Sequence, residues 1–121
     1  MKYEESLSQI ALIKWFRLQY PELQDLLVSY PAGLNLEIGQ RIRAKNMGLK
    51  AGVPDLILFV PKLIKDKFYP CLFIEMKRED GRLSAVQQAY HHLLKSQGYT
   101  IIVCYSFDEA RQKISSYLKA S

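Results

Sequence analysis

The sequence predicts a mixed α/β domain, a mixed β-sheet flanked by helices, and three observations carry that prediction. Helical and strand patterns follow one another as helix, strand, helix, strand, strand, helix, strand, helix, an order that sets helices against both faces of one sheet. The strand patterns at 54–60 and 70–77 have no crossover helix between them, so a hairpin or near-neighbour antiparallel pair fits better than a purely parallel doubly wound sheet. With 121 residues, 49% of them apolar, the chain has the length of a single domain, residues 1–121, and can bury one core.

The first element, EESLSQIALIKWFRLQY, spreads its apolar residues widely around a helical wheel and stops at Pro21, which disfavours helix at Tyr20. It reads as a helix buried on more than one side. At a helical period Glu5, Gln9 and Phe16 project together, because positions four apart sit one turn above each other. DLLVSYP reads as a short strand, and NLEIGQRIRAKNMG as a helix closed by Gly48. KAGVPDLILFVP switches to strand composition. KLIKDKFY, rich in charge, reads as a surface loop, and PCLFIEMK as the next strand. Beyond Gly81, Ser84 is placed to cap the helix AVQQAYHHLLKSQG, which Gly98 ends; YTIIVCYS is a further buried strand and 108–120 a closing helix.

Seventeen Lys and Arg against twelve Asp and Glu give a formal charge of +5, a balance that permits nucleic acid or an anionic surface as partner without selecting either. The longest apolar runs fall far short of the ~20 residues of a membrane helix, and MKYEESLSQ lacks a signal peptide's apolar segment, so a soluble, cytoplasmic protein is expected. Cys71 and Cys104 lie in apolar segments without CxxC or Cys/His clustering, which points to buried reduced thiols.

Two charges inside a strand pattern, Glu75 and Lys77 in FIEMKRED, carry the chemistry. Side chains alternate along a strand, so Leu72, Ile74 and Met76 share one face while Phe73, Glu75 and Lys77 share the other. If the two strands pair antiparallel, the start of the first lies beside the end of the second, and Asp55 joins Glu75 and Lys77. Two close carboxylates repel unless one holds its proton or a cation neutralises them. A hard divalent ion such as Mg²⁺, which takes oxygen ligands and commonly uses one or two carboxylates with waters and substrate phosphate, resolves that conflict. A nearby lysine can hold the scissile phosphate, orient water or stabilise charge in the transition state, so the constellation suits phosphodiester hydrolysis. On spacing alone, Glu75 and Lys77 are also compatible with an exposed cross-strand pair on a solvated sheet face.

GVPDLILF followed by FIEMKREDGRLSAVQ resembles the PD-(D/E)xK nuclease superfamily and, within it, the VRR-NUC domain, whose pattern joins G-x-P-D-L, E-x-K, a G-R-L-S turn and a glutamine. The resemblance reaches back to EESLSQIALIKWF and forward through SQGYTIIVCYSFDEA, nearly the whole chain. It implies a restriction-endonuclease-like fold with an αβββαβ core. It implies that Asp55 and Glu75 bind metal, that Lys77 is the active-site lysine, that Glu5 is the acidic residue of the first helix facing the metal, with Glu4 as the competing choice, and that Gln9 is the glutamine one turn on. Gln87 matches the glutamine of the S-x-x-Q motif opened by Ser84, where it reaches a phosphate or the attacking water; the Met76 backbone carbonyl is a further metal ligand. Gly52 and Pro54 match the turn that aims Asp55. PAGLN departs from the family, where many relatives carry an asparagine followed by glycines, and no substrate contact is assigned to it.

Lys45, Lys50, Arg78 and Arg82 flank this site and are candidates for phosphate contacts, each being an ordinary solvated charge when taken singly. His91 and His92 are adjacent on a helix, face different directions and lack the spacing of a helical metal pair. Trp15 and Tyr90, among Leu and Ile at helical positions, read as core or interface residues. The apolar excess of the first helix suggests a subunit contact, and the family's likeness to Holliday junction resolvases implies a homodimer with two active sites, suited to branched DNA. The expected activity is a Mg²⁺- or Mn²⁺-dependent DNA endonuclease acting through metal-activated water, in a phage or prophage setting by family habit. A non-catalytic nucleic-acid-binding or scaffold domain, or a protein-interaction module built on the first helix, are the alternatives.

Overall fold

The computed structural model describes residues 3–30 and 36–121, with side chains from Glu5 onward. Along the chain run α1 (Tyr3–Gln19), a 3₁₀ turn (Pro21–Leu26), β1 (Leu27–Ser29), α2 (Ile38–Asn46), β2 (Leu56–Leu58), β3 (Lys62–Ile64), β4 (Lys67–Tyr69), β5 (Leu72–Met76), α3 (Ala85–Ser96), β6 (Thr100–Cys104) and α4 (Phe107–Lys119). Four strands form one sheet in the order β1-β2-β5-β6, and β3 with β4 forms a separate two-stranded ribbon. β2 is antiparallel to both β1 and β5, whereas β5 and β6 are parallel, joined by α3 as the crossover such pairs require. With α2 and the β3–β4 ribbon set aside as insertions, α1-β1-β2-β5-α3-β6 is the expected αβββαβ core.

Strand alternation divides the sheet into two faces. Leu56, Leu58, Leu72, Ile74 and Met76 pack with Leu12 and Phe16 of α1 and with Ala110, Ile114 and Tyr117 of α4 into one buried cluster. Trp15 and Tyr20 stack edge-on at the margin of this core, Trp15 also against Phe16, which gives Trp15 the packing role its helical position suggests. The opposite face, carrying Phe73 and Glu75, meets α3 and the segment after it, where His91 contacts Glu75 and the Tyr99 ring packs on Phe73. Both faces of β5 are therefore buried, and all five of its residues with them. Both cysteines are free and buried, and burial pushes the Cys104 thiol up to about 11, leaving it unreactive.

Helix ends follow their sequence signals. Ser84 and Gln87 form a reciprocal capping box at the start of α3. The α1 helix gives way at Pro21, which the following 3₁₀ turn accepts at its first position. Segment 62–69 differs from expectation: it is a β-hairpin, with Lys65 and Asp66 both at positive φ in its two-residue turn. That turn needs left-handed backbone at both central residues, a geometry usually announced by Asn-Gly or Asp-Gly, and Lys-Asp carries no such signal. PAGLN (31–35) and the Glu4 side chain lie outside the described residues, so the choice between Glu4 and Glu5 is read from Glu5 alone.

Candidate active site

The sheet register sets the site. Leu56 stands opposite Ile74, so one step further toward the sheet end the antiparallel pairing carries Asp55 to the side of Glu75. Asp55 is fixed from both directions: its carbonyl accepts from the Tyr30 N–H at 2.8 Å, and its Oδ2 accepts from the Met76 N–H at 2.8 Å. The next amide, that of Lys77 just past β5, instead donates to the Cys104 carbonyl on β6. Backbone groups alternate flanks along a strand, so the Met76 carbonyl faces the same flank as Asp55.

Glu75 is only 1% exposed. Its Oε1 lies 3.2 Å from His91 Nε2 and its Oε2 3.5 Å from Gln87 Nε2, both reaching from α3. Its carboxyl pKa is pushed up to about 9, first by burial, then by a hydrogen bond to and repulsion from Asp55, with Glu5 adding repulsion and Lys77 opposing it. Glu75 thus holds its proton through the neutral range, as a buried carboxyl beside another carboxylate does without a cation. Glu5, on the buried side of α1, is 9% exposed, and Lys77 is half-buried just past the end of β5.

The structure therefore gathers Glu5, Asp55, Glu75, Lys77 and Gln87 about one end of the sheet. Gln87 is committed locally: its Oε1 accepts from the Ser84 N–H at 2.9 Å while its Nε2 points at Glu75. Ser84 caps α3 through its hydroxyl, which accepts from the Gln87 N–H. Arg78 pairs with Asp80 at 3.1 Å. Lys45, Lys50 and Arg82 have exposed side chains, and the Lys50 N–H donates to the Tyr30 hydroxyl.

His91 is the residue that motif reasoning passes over. Its spacing from His92 is not that of a helical metal pair, yet it stands one helical turn after Gln87, and that spacing places both on the α3 face that covers Glu75.

Among the described residues no three His, Cys, Asp or Glu side chains are already gathered as a ready-made metal cluster. The donors nonetheless suit a hard divalent cation, which needs only one or two carboxylates and takes its remaining ligands from carbonyls, water and phosphate. Glu75 holds a proton where a cation would relieve its repulsion from Asp55, with the Met76 carbonyl on the Asp55 flank. One turn after Glu5, the Gln9 Oε1 is buried without a hydrogen-bond partner, a further oxygen of the kind such an ion accepts.

A model of the VRR-NUC domain matches residues 2–108. A solved structure described as a VRR_NUC domain protein superposes with a TM-score of 0.81 at 25% sequence identity, covering 100% of this chain and 93% of its own. No curated protein matches the sequence.

Proposed function

The chain belongs to the VRR-NUC domain family, whose members are nuclease-like, and from that premise we propose that it is a Mg²⁺- or Mn²⁺-dependent deoxyribonuclease that hydrolyses phosphodiester bonds, with selectivity for branched DNA such as four-way junctions. The observation that carries the reading is the gathering of Asp55, held by the Met76 N–H, with buried Glu75 and half-buried Lys77 at one end of the sheet. Glu5, Asp55, Glu75 and the Met76 carbonyl would hold the cation, which when bound supplies Lewis acidity toward the phosphate and lowers the pKa of water.

The chain's own groups do the rest. The Met76 N–H fixes Asp55 before substrate arrives, so its carboxylate does not reorganise. To hold the cation Glu75 would release its proton to solvent. Lys77, half-buried and tied by its amide to the Cys104 carbonyl, places its ammonium beside the carboxylates, where it orients water or offsets charge on the phosphate. Gln87 and Gln9 bring amides to the substrate side.

Incubating the full chain with linear, flapped and four-way DNA, in Mg²⁺, Mn²⁺ or EDTA, tests the proposal. Cleavage in either metal and none in EDTA is the expected result, with the junction cut fastest; binding without cleavage in every metal would replace the nuclease with a non-catalytic DNA-binding domain. Two-fold symmetric substrates call for a two-fold symmetric enzyme. The α1 surface supplies a face for such a homodimer, since Leu7, Ile10 and Leu18 remain exposed, Leu18 to 84%, beside a groove lined by Ile10, Ile13 and Arg17. Light scattering should return twice the 14.0 kDa chain mass.

Phosphate contacts are assigned to Lys45, Lys50, Arg78 and Arg82. α2 has no acidic residue between Ile38 and Asn46, ends on Arg43 and Lys45, and buries none of its side chains, so its charge is free to meet a backbone. Replacing Lys45 and Lys50 by Gln should flatten the dependence of log affinity on log salt by about 1 to 2 units and weaken binding evenly across DNA sequences. An unchanged salt slope in fluorescence anisotropy would remove both residues from the interface.

A further inference from the structure

We propose that His91 is a positioning residue for Glu75: its imidazole donates from Nε2 to Oε1 and so holds the carboxylate in the orientation that serves a divalent cation. The inference rests on the metal-dependent reading above and extends it to a residue outside the family motifs carried over to this chain.

The geometry is specific. His91 is 4% exposed and Glu75 1%, so neither can turn to water for a partner, and their contact is 3.2 Å. The Nε2 atom lies against Oε1, where an imidazole N–H is placed to donate to the carboxylate. An ionised carboxylate in so dry a place is costly unless its lone pairs are met by donors. His91 meets one on Oε1, and the Gln87 amide stands 3.5 Å from Oε2. The remaining lone pairs are left on the side shared with Asp55.

Both donors come from one face of α3, a single turn apart. That helix is anchored at its start by the Ser84–Gln87 capping box and joined to β6 by the parallel crossover. The orientation of Glu75 is thereby set by a rigid element rather than by a loop. Filling the space alone would need no nitrogen, since Met or Leu occupies a similar volume; only a hydrogen-bond donor helps the ionised state.

Calorimetric titration of the metal-stripped full chain with Mn²⁺ tests this, comparing wild type, His91→Met and His91→Gln, with thermal melts alongside and DNA affinity measured in EDTA. His91→Met should bind Mn²⁺ about tenfold or more weakly with metal-free DNA affinity unchanged, and His91→Gln, which restores an N–H, should return to within about threefold of wild type. Wild-type Mn²⁺ affinity in His91→Met, or equal losses in two cooperatively melting variants, would overturn the role. Should His91→Met not melt cooperatively, His91→Leu takes its place in the same comparison. Wild-type protein that binds no Mn²⁺ would overturn the metal reading itself and this inference with it, a result distinct from wild-type binding that His91 substitutions leave untouched.

Discussion

Glu75→Gln should abolish cleavage and, in EDTA, give a protein that is more stable than wild type. The loss follows from removing a metal-binding carboxylate: charge stabilisation by the ion is worth several kcal/mol, and about 4 kcal/mol is already a thousandfold in rate. The gain follows from the same burial. Glu75 has its folded-state pKa raised from 4.5 to about 9, so between those values the folded chain holds a proton that the unfolded chain has released. Metal-free stability contributed by this group is complete below about pH 4.5, falls as pH rises, and is fully lost above about pH 9, at up to about 1.4 kcal/mol per pH unit. Glutamine pays none of this, so the stability difference between Glu75→Gln and wild type should widen from about pH 5 to about pH 8.5. Saturating Mn²⁺ should narrow or reverse the difference, because a ligand that binds only the folded wild type stabilises it by mass action. Thermal melts across that pH range, with EDTA and with Mn²⁺, measure all three effects. Parallel pH profiles for the two proteins would mean that Glu75 is not held protonated in the fold.

Which parts of this site were legible in the sequence depends on how far apart the cooperating residues lie along the chain. Glu75 and Lys77 sit two apart on a strand, and period-two alternation alone puts them on one face. Asp55 lies twenty residues upstream, and it was recoverable because no crossover helix separates its strand from the next; the register of Leu56 opposite Ile74 completes the argument. The Ser84 cap was visible from its place ahead of the helix pattern, while the reciprocal role of Gln87 in that cap came from the structure. Two other features were harder to see. The β3–β4 hairpin hides because Lys65 and Asp66 adopt left-handed backbone without a glycine to announce it. His91 hides because its partner is a strand residue sixteen positions away, on an element that meets the helix only after the parallel crossover is made. The motif shows which groups carry charge, while the donors that orient them come from packing.

Gly52→Ala should destabilise the fold by about 2–4 kcal/mol and slow cleavage well beyond what the lost stability explains. Gly52 has φ of +90°, in the left-handed region that a side chain strains to enter, and a Cβ there would lie 2.7 Å from the Val86 carbonyl oxygen and 3.1 Å from its carbon. Both obstacles are backbone, so no rotamer change relieves them. Val86 belongs to the first turn of α3, immediately before Gln87, and the 50–55 segment that bears Gly52 is held at its other side by the Tyr30 hydroxyl and carries Asp55 at its end. A methyl group at this contact would therefore push the Asp55 turn away from the helix that orients Glu75. A misplacement of about 1 Å in a catalytic site can cost a hundredfold in rate. Gly39→Ala is the matched control: nothing lies within 4 Å of its Cβ, its φ is not in the left-handed range, and alanine in helix α2 should be neutral or stabilising by up to about 1 kcal/mol. Denaturant unfolding of both variants, with cleavage assayed where each is fully folded, separates stability from alignment. Wild-type cleavage by folded Gly52→Ala would show that the turn and α3 move independently, and that the close approach of Gly52 to Val86 serves packing alone.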